Sequence, residues 1–371
     1  MSRRREREKA NARAIAQRDA LTVTRTPSAL PRYLALAYLG LVIYASLHPF
    51  SGWRDPGLPM LTFLDAGWPR WWTGFDLGIN VLAYVPLGYL LTLALARQPG
   101  RWLPAVTGAL LAALLSFTVE ALQSWLPARV PSNLDLASNA CGGAIGALLA
   151  YLGGTRALVA LARFERRVVA PVPRAEAGLV LLGLWLLTQL SPETLLFGAG
   201  DMRQLLGLTP AIAYAAPSFF AIETAVIACN TLAIGLLTRT LLADRGTPVA
   251  VLVGFLLSAL LIRALGAAVL VAPREAMAWL TPGAGLGLSI GAGVLAFALL
   301  LPPAWRLMFA GLALMAGTVL VNLAPENPYS AAALAAWRQG HFLNFNGLTR
   351  LVAGLWPFLA LPYLTLLARR L

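Results

Sequence analysis

Two cysteines, two histidines and one lysine, Lys9, are all that this chain of 371 residues offers of three chemically versatile side chains. Cys141 and Cys229 both fall in apolar runs, where a thiol packs as a small hydrophobe, so no disulfide framework and no cysteine metal motif is on offer. His48, in SLHPF, and His341, in RQGHFLNFNG, have no carboxylates beside them at ligand spacing, which argues for neither metal nor cofactor. Charge is scarce as well, at 12% of residues. A Walker loop, a dinucleotide fingerprint, a GxSxG elbow and an HExxH pair are all missing, which removes the common nucleotide-binding and hydrolytic classes. The first 30 residues contain no apolar centre of the length a cleavable secretory signal needs.

What fills the chain is apolar. Hydrophobic residues make up 58% of it, and the mean hydropathy is +0.71, values of a multi-pass membrane protein rather than a soluble one. Runs long enough to cross about 30 Å of hydrocarbon are read near residues 32–49, 77–96, 102–122, 135–153, 177–196, 216–242, 247–271, 283–301, 305–323 and 350–368. The expected fold class is therefore all-α, a polytopic transmembrane helix bundle of about ten spans. The formal charge of +13 could suggest nucleic acid, but its placement points to topology instead. With the N-terminus in the cytoplasm, 21 of the 29 basic residues fall on the cytoplasmic side. Seven fall in the opposite loops, at Arg54, Arg70, Arg129, Arg203, Arg274, Arg338 and Arg350. The positive-inside rule then predicts both termini in the cytoplasm. Trp53, Trp68, Trp71 and Trp72 suit the membrane interface on the far side, and the basic tail reads as a solvated topogenic segment or a surface that touches anionic lipid.

Self-comparison at an offset of about 145 to 150 residues gives a faint duplication. LGLVIYASLHP parallels LGLWLLTQLSP, Asn80 falls opposite Asn230, VTGALLAALL parallels LVGFLLSALL, and ACGGAIGALLA parallels LSIGAGVLAFA. The organisation that follows is a cytoplasmic tail over 1–31, a four-helix module over 32–153 and a basic linker over 154–176. A degenerate second module over 177–302 and a two-helix extension over 303–371 complete it.

The stretch from Val119 to Gly146 carries the unusual chemistry. Ser116, Glu120 and Gln123 share one face of the third span, and Asp135, Asn139, Gly142 and Gly146 share one face of the fourth. A linker of about a dozen residues containing Arg129 brings both faces to one leaflet. Counting about 1.5 Å per residue puts Glu120 about 27 Å from Trp102, near the outer boundary. Glu120 can pair with Arg129 there, and Asp135 can be the distal half of a capping box begun by Ser132. As a set, Glu120, Gln123, Arg129, Asp135 and Asn139 form a candidate ligand-binding cluster, with no catalytic residue assigned. Gly142 and Gly146 allow close helix approach, and Asn80 and Pro86 are structural, the proline predicting a kink near Val85. In the second copy, positions opposite Glu120, Gln123, Asp135 and Asn139 are close to Gly266, Val269, Gly283 and Gly287, so the polar set occurs once. Glu223 and Arg263 lie within spans and could form a buried pair.

These residues together resemble the VanZ-like family of bacterial membrane proteins. The resemblance runs over about 34–153 and rests on SLHPF, on Asn80, Pro86 and Gly88, on Glu120 and Gln123, and on Arg129, Asp135, Asn139, Gly142 and Gly146. It implies a cell-envelope role, of the glycopeptide-resistance type, rather than a reaction. The expected function is a non-enzymatic envelope protein whose outward-facing polar pocket binds a lipid-linked or surface glycan component. Its expected partners are membrane lipids, including polyprenyl-linked envelope precursors, and not nucleic acid. Two alternatives stay open, a transporter or lipid flippase and an intramembrane acid/base enzyme.

Overall fold

Ten helices of 14 residues or more, and no strand beyond one isolated bridge between Val169 and Leu242, make up the described part of the computed structural model. That part comprises residues 28–69, 72–96, 100, 102–191, 193–208, 212–325 and 343–369. The basic tail over 1–27, together with Arg70, Trp71, Arg338 and His341, lies outside it. The helices are α1 (Leu30–Leu47), α2 (Gly74–Ala94), α3 (Trp102–Gln123), α4 (Asn133–Val168), α5 (Ala175–Thr188), α6 (Ala216–Leu241), α7 (Pro248–Leu270), α8 (Pro282–Ala298), α9 (Pro303–Leu323) and α10 (Leu343–Ala368). Eight are long and apolar enough to cross a membrane, while α5 and α8 are shorter apolar helices. The chain is a polytopic helical bundle.

Local chemistry sets where these helices start. Proline in the first turn of α1, α6, α7, α8 and α9 begins each with φ already fixed and no N–H to orphan. A reciprocal capping box starts α2, the Thr73 hydroxyl accepting from Asp76 N and the Asp76 carboxylate accepting from Thr73 N.

The two halves of the bundle are packed differently. Among α1–α4 the most extensive contact is between α2 and α4, and it is made by backbone meeting backbone. A Cβ added at Gly88 would strike the Gly143 carbonyl oxygen, and one at Gly142 or Gly146 would strike that of Val81 or Val85. The expected GxxxG step therefore lies against α2, which stays helical through Pro86. Among α5–α10, α8 meets α6 through a similar seam at Gly287 and Gly291, and a single large cluster of side chains centred on Trp185, Phe197, Ile234, Leu236 and Trp356 is added. The largest contacts there run from α6 to α9 and α8.

Three spans depart from their expected limits, the last of them beginning at Leu343 and not near 350. The fourth does not stop near 153 but continues as helix to Val168, because RALVALARFERRV holds neither glycine nor proline and favours helix throughout. The fifth stops at Thr188, not near 196. Pro192 disfavours helical backbone in the residue before it, and the apolar stretch that follows is buried without being helical. Arg263 of α7 donates to the Ser191 and Thr194 carbonyls there, and Asn322 of α9 donates to Gly200 O at 2.7 Å while accepting from Met202 N at 3.0 Å. Arg263 therefore does not pair with Glu223, whose carboxylate accepts from the Thr281 hydroxyl at 2.8 Å. Each finds a nearer partner in a loop at its own helix end.

Candidate functional site

The turn between α3 and α4 begins with an exchange of capping partners. Ser132 is the N-cap of α4, its hydroxyl accepting from Leu134 N at 3.2 Å and Asp135 N at 3.4 Å. In a local capping box the Asp135 carboxylate would return the bond to Ser132 N. Glu120 takes that place instead, reaching from the last turn of α3 to accept from Ser132 N at 2.8 Å. Only 3% of Glu120 is exposed, and a carboxylate at a helix N-terminus also meets the positive end of the helix dipole. The substitution releases Asp135 to accept from Asn80 Nδ2 of α2 at 2.8 Å. Deeper in the bundle a separate pair links α4 to α3, Asn139 Nδ2 donating to Ser116 Oγ at 3.0 Å.

Arg129 and Gln123 face the end of α1. Arg129 donates from Nε to His48 O at 3.0 Å and from Nη2 to Ala45 O at 2.8 Å, and Gln123 donates from Nε2 to Ser46 O at 2.9 Å. The last carbonyls of a helix have no partner within it, so these side chains cap α1 from the α3–α4 turn. Arg129 makes no ion pair with Glu120 within the usual distance, since each is drawn to backbone instead. Burial holds the Arg129 guanidinium below its usual range, and the neighbouring Glu120 opposes that shift. Two of its nitrogens serve the fold, leaving Nη1 with no acceptor among the described residues.

The five expected cluster residues thus share one end of the α1–α4 bundle, and Asn80, expected to be structural, joins their hydrogen-bond chain. The long loop after α1 folds over the same end. Asn133 donates to Ala66 O at 2.7 Å and Ser124 to Met60 O at 2.9 Å, and Phe63 is buried against Phe117. Trp53, Trp68 and Trp72 stand exposed around it, as an interfacial belt requires.

Sequence reasoning missed what the C-terminal helix adds. Gly347 of α10 lies so close to α1 that a Cβ there would come within 2.8 Å of the Tyr44 hydroxyl and 3.0 Å of His48 Nε2. One turn on, Arg350 Nη1 lies 3.6 Å from Glu193 Oε2. The His48 imidazole stacks on Tyr44, with ring centroids 5.3 Å apart. Burial, then Arg129 and Arg350, hold it below its usual pKa. Counting Arg350 among the loop arginines of that end was the only available signal, because nothing in its local sequence connects it to residue 48.

The arrangement offers two guanidinium groups, an imidazole, and carboxylates already engaged by backbone and amide donors. That is the equipment of an anion- and hydroxyl-binding site. It includes no nucleophile paired with a base. In comparison with known proteins, a family model described as VanZ/LLP1 matches residues 21–154. No curated protein and no solved structure matches the chain.

Proposed function

From the match of a VanZ/LLP1 family model to residues 21–154, we propose that this multi-pass membrane protein is VanZ-like and binds a lipid-linked or surface glycan component at the polar end of its α1–α4 bundle. In this reading the protein sits in a bacterial cytoplasmic membrane with both termini in the cytoplasm, as the arginine distribution supports. The polar end then faces outward, and the protein acts by binding rather than by catalysis. Arg129 Nη1 and Arg350 hold the anionic group of the ligand, while Asp135 and Glu120 accept from its hydroxyls. The α5–α8 helices derive from a duplication of the first four and have become a partner that carries no second copy of the site.

The observation that carries the reading is the convergence of Glu120, Gln123, Arg129, Asp135 and Asn80 on one bundle end, with one Arg129 nitrogen left over. Its test is photo-crosslinking with a diazirine-bearing polyprenyl diphosphate. Losing one charge-assisted bond costs about 1.5 to 3 kcal/mol, so Arg129→Gln should lower capture at limiting probe about tenfold or more. Equal capture by wild type, Arg129→Gln and Arg350→Gln would overturn the reading.

One observation favours transport as a second reading. The buried irregular backbone after Thr188 resembles the interrupted helices of transporters. It is tied down by Arg263 and Asn322 at both ends, which suits a fixed structural element better than a moving gate. Probe translocation in liposomes that stops on Glu120→Gln would favour transport.

A further inference from the structure

At the opposite end of the bundle, α4 is longer than a perpendicular span needs, and its last turn lies level with the start of α1 and the end of α6. Its 36 residues span about 54 Å at about 1.5 Å per residue, while about 20 residues suffice for the hydrocarbon core. The surplus lies beyond about residue 153 and is not a polar stalk. Arg156, Arg163 and Arg167 recur at i, i+7 and i+11, which aligns them on one helix face, with Arg166 beside them. All four are exposed, and none makes a salt bridge among the described residues. Exposed apolar side chains border the line, with Leu152 63%, Val159 49% and Phe164 51% accessible. Glu165, the one acid in the stretch, is turned toward the start of α1, where it accepts from the Ser28 hydroxyl at 2.5 Å.

The face is also held in place. Beyond the last turn, Ala170 N donates to Leu241 O at 2.8 Å and Ala243 N donates to Val168 O at 2.9 Å, fastening the end of α4 to the end of α6. The arginine line is thereby fixed in position, with no acidic partner among the described residues.

We propose that residues 152–167 of α4 dock anionic phospholipid of the surrounding bilayer. The phosphodiester headgroups lie on the Arg156, Arg163 and Arg167 line, and Leu152, Val159 and Phe164 lie among the upper acyl chains. Charge complementarity selects the occupant, since guanidinium forks match phosphate oxygens in pairs and a basic amphipathic helix at the interface gains from both terms. The surface is independent of the polar cluster at the other end. Because α4 joins the α1–α4 bundle to α6, lipid held here clamps the joint between the two halves.

Native mass spectrometry of the full chain, purified in detergent and titrated with dioleoyl-phosphatidylglycerol or dioleoyl-phosphatidylcholine, tests the proposal. Each arginine near a charged surface contributes about 1 kcal/mol, or about fivefold. Wild type should retain phosphatidylglycerol at least about tenfold better than phosphatidylcholine, and the triple variant Arg156→Gln, Arg163→Gln, Arg167→Gln should lose that preference. The triple lysine variant should keep most of it. The control variant Arg54→Gln, Arg245→Gln, Arg274→Gln removes the same charge elsewhere and should keep all of it. Since the altered side chains are exposed, each variant should elute with wild type on size exclusion. An undiminished preference in the glutamine triple would overturn the proposal. So would an equal loss in the control, or displacement of the lipid by inorganic phosphate at comparable concentration.

Discussion

The carbonyl preceding proline at the end of α1 and the carbonyl preceding proline after α5 are both held by arginine, and the two arginines live in different surroundings. Arg129 sits in a half-exposed turn and donates to His48 O and Ala45 O, with Glu120 and the Asn80–Asp135 pair close by. Arg263 sits within a helix, 6% exposed, and spends its donors on Ser191 O, Thr194 O and the Thr194 hydroxyl. The same clamp is partly exposed in the first case and buried in the second. A carboxylate from another helix also docks at the N-cap of the fourth helix of each set. Glu120 from α3 reaches Ser132 N, and Glu223 from α6 reaches the Thr281 hydroxyl. The difference teaches that the architecture does not need the polar chain, since α5–α8 fold around the same contacts without an Asp135 or Asn139.

The glycine seams should break both halves alike and give the largest effect. In Gly146→Val the new side chain meets the Val85 carbonyl, and in Gly291→Val it meets Thr231 and Ala228. Helices forced apart over a whole face cost about 3 kcal/mol, read as loss of the monodisperse peak and a lower unfolding midpoint. The clamps should then separate. Arg263→Met strands buried carbonyls and should destabilise by about 2 to 3 kcal/mol, whereas Arg129→Met, in a half-exposed turn, should cost about 1 to 2 kcal/mol. Thermal unfolding in detergent checks the order, and a reversed order would mean that the first clamp is the structural one. Glu120→Ala leaves Ser132 N without its acceptor and should cost about 1 to 2 kcal/mol, most of it recovered in Glu120→Gln, which keeps an oxygen.

The smallest effect is pH. His48 is held below its ordinary value, so the folded state takes up its proton less readily than the unfolded chain. Its contribution is complete above about pH 6.5 and declines as pH falls below that value, levelling off under the folded pKa. Because the ring is partly exposed, the change should stay below about 1 kcal/mol. His48→Gln should flatten the dependence of the unfolding midpoint between about pH 7 and pH 5, and an unchanged slope would remove His48 as its source.

Much of this was legible in the residues. Apolar run length located the ten long helices of the described residues, eight of them long enough to cross a membrane, and the spacing of Glu120, Gln123, Asp135 and Asn139 identified faces that do meet at one end. Hydropathy could not reveal that α4 continues to Val168, because it measures transfer and not helix propensity. Nor could it separate the helical part of α5 from the buried coil after Thr188, since TLLFGAG is equally apolar in either state. The capping exchange between Glu120 and Asp135 was hidden because a local box and a remote one share the same sequence. Arg350 joined the site only through tertiary packing at Gly347.

The central claim is that the first clamp is a ligand site and the second is not. Mapping where a diazirine polyprenyl diphosphate attaches to the full chain, by peptide mass spectrometry, tests this most directly. Adducts should concentrate on residues 44–54 and 124–139 and compete with unlabelled lipid, leaving 189–203 and α7 at background. Equal labelling of both regions, or labelling confined to the second, would contradict the account.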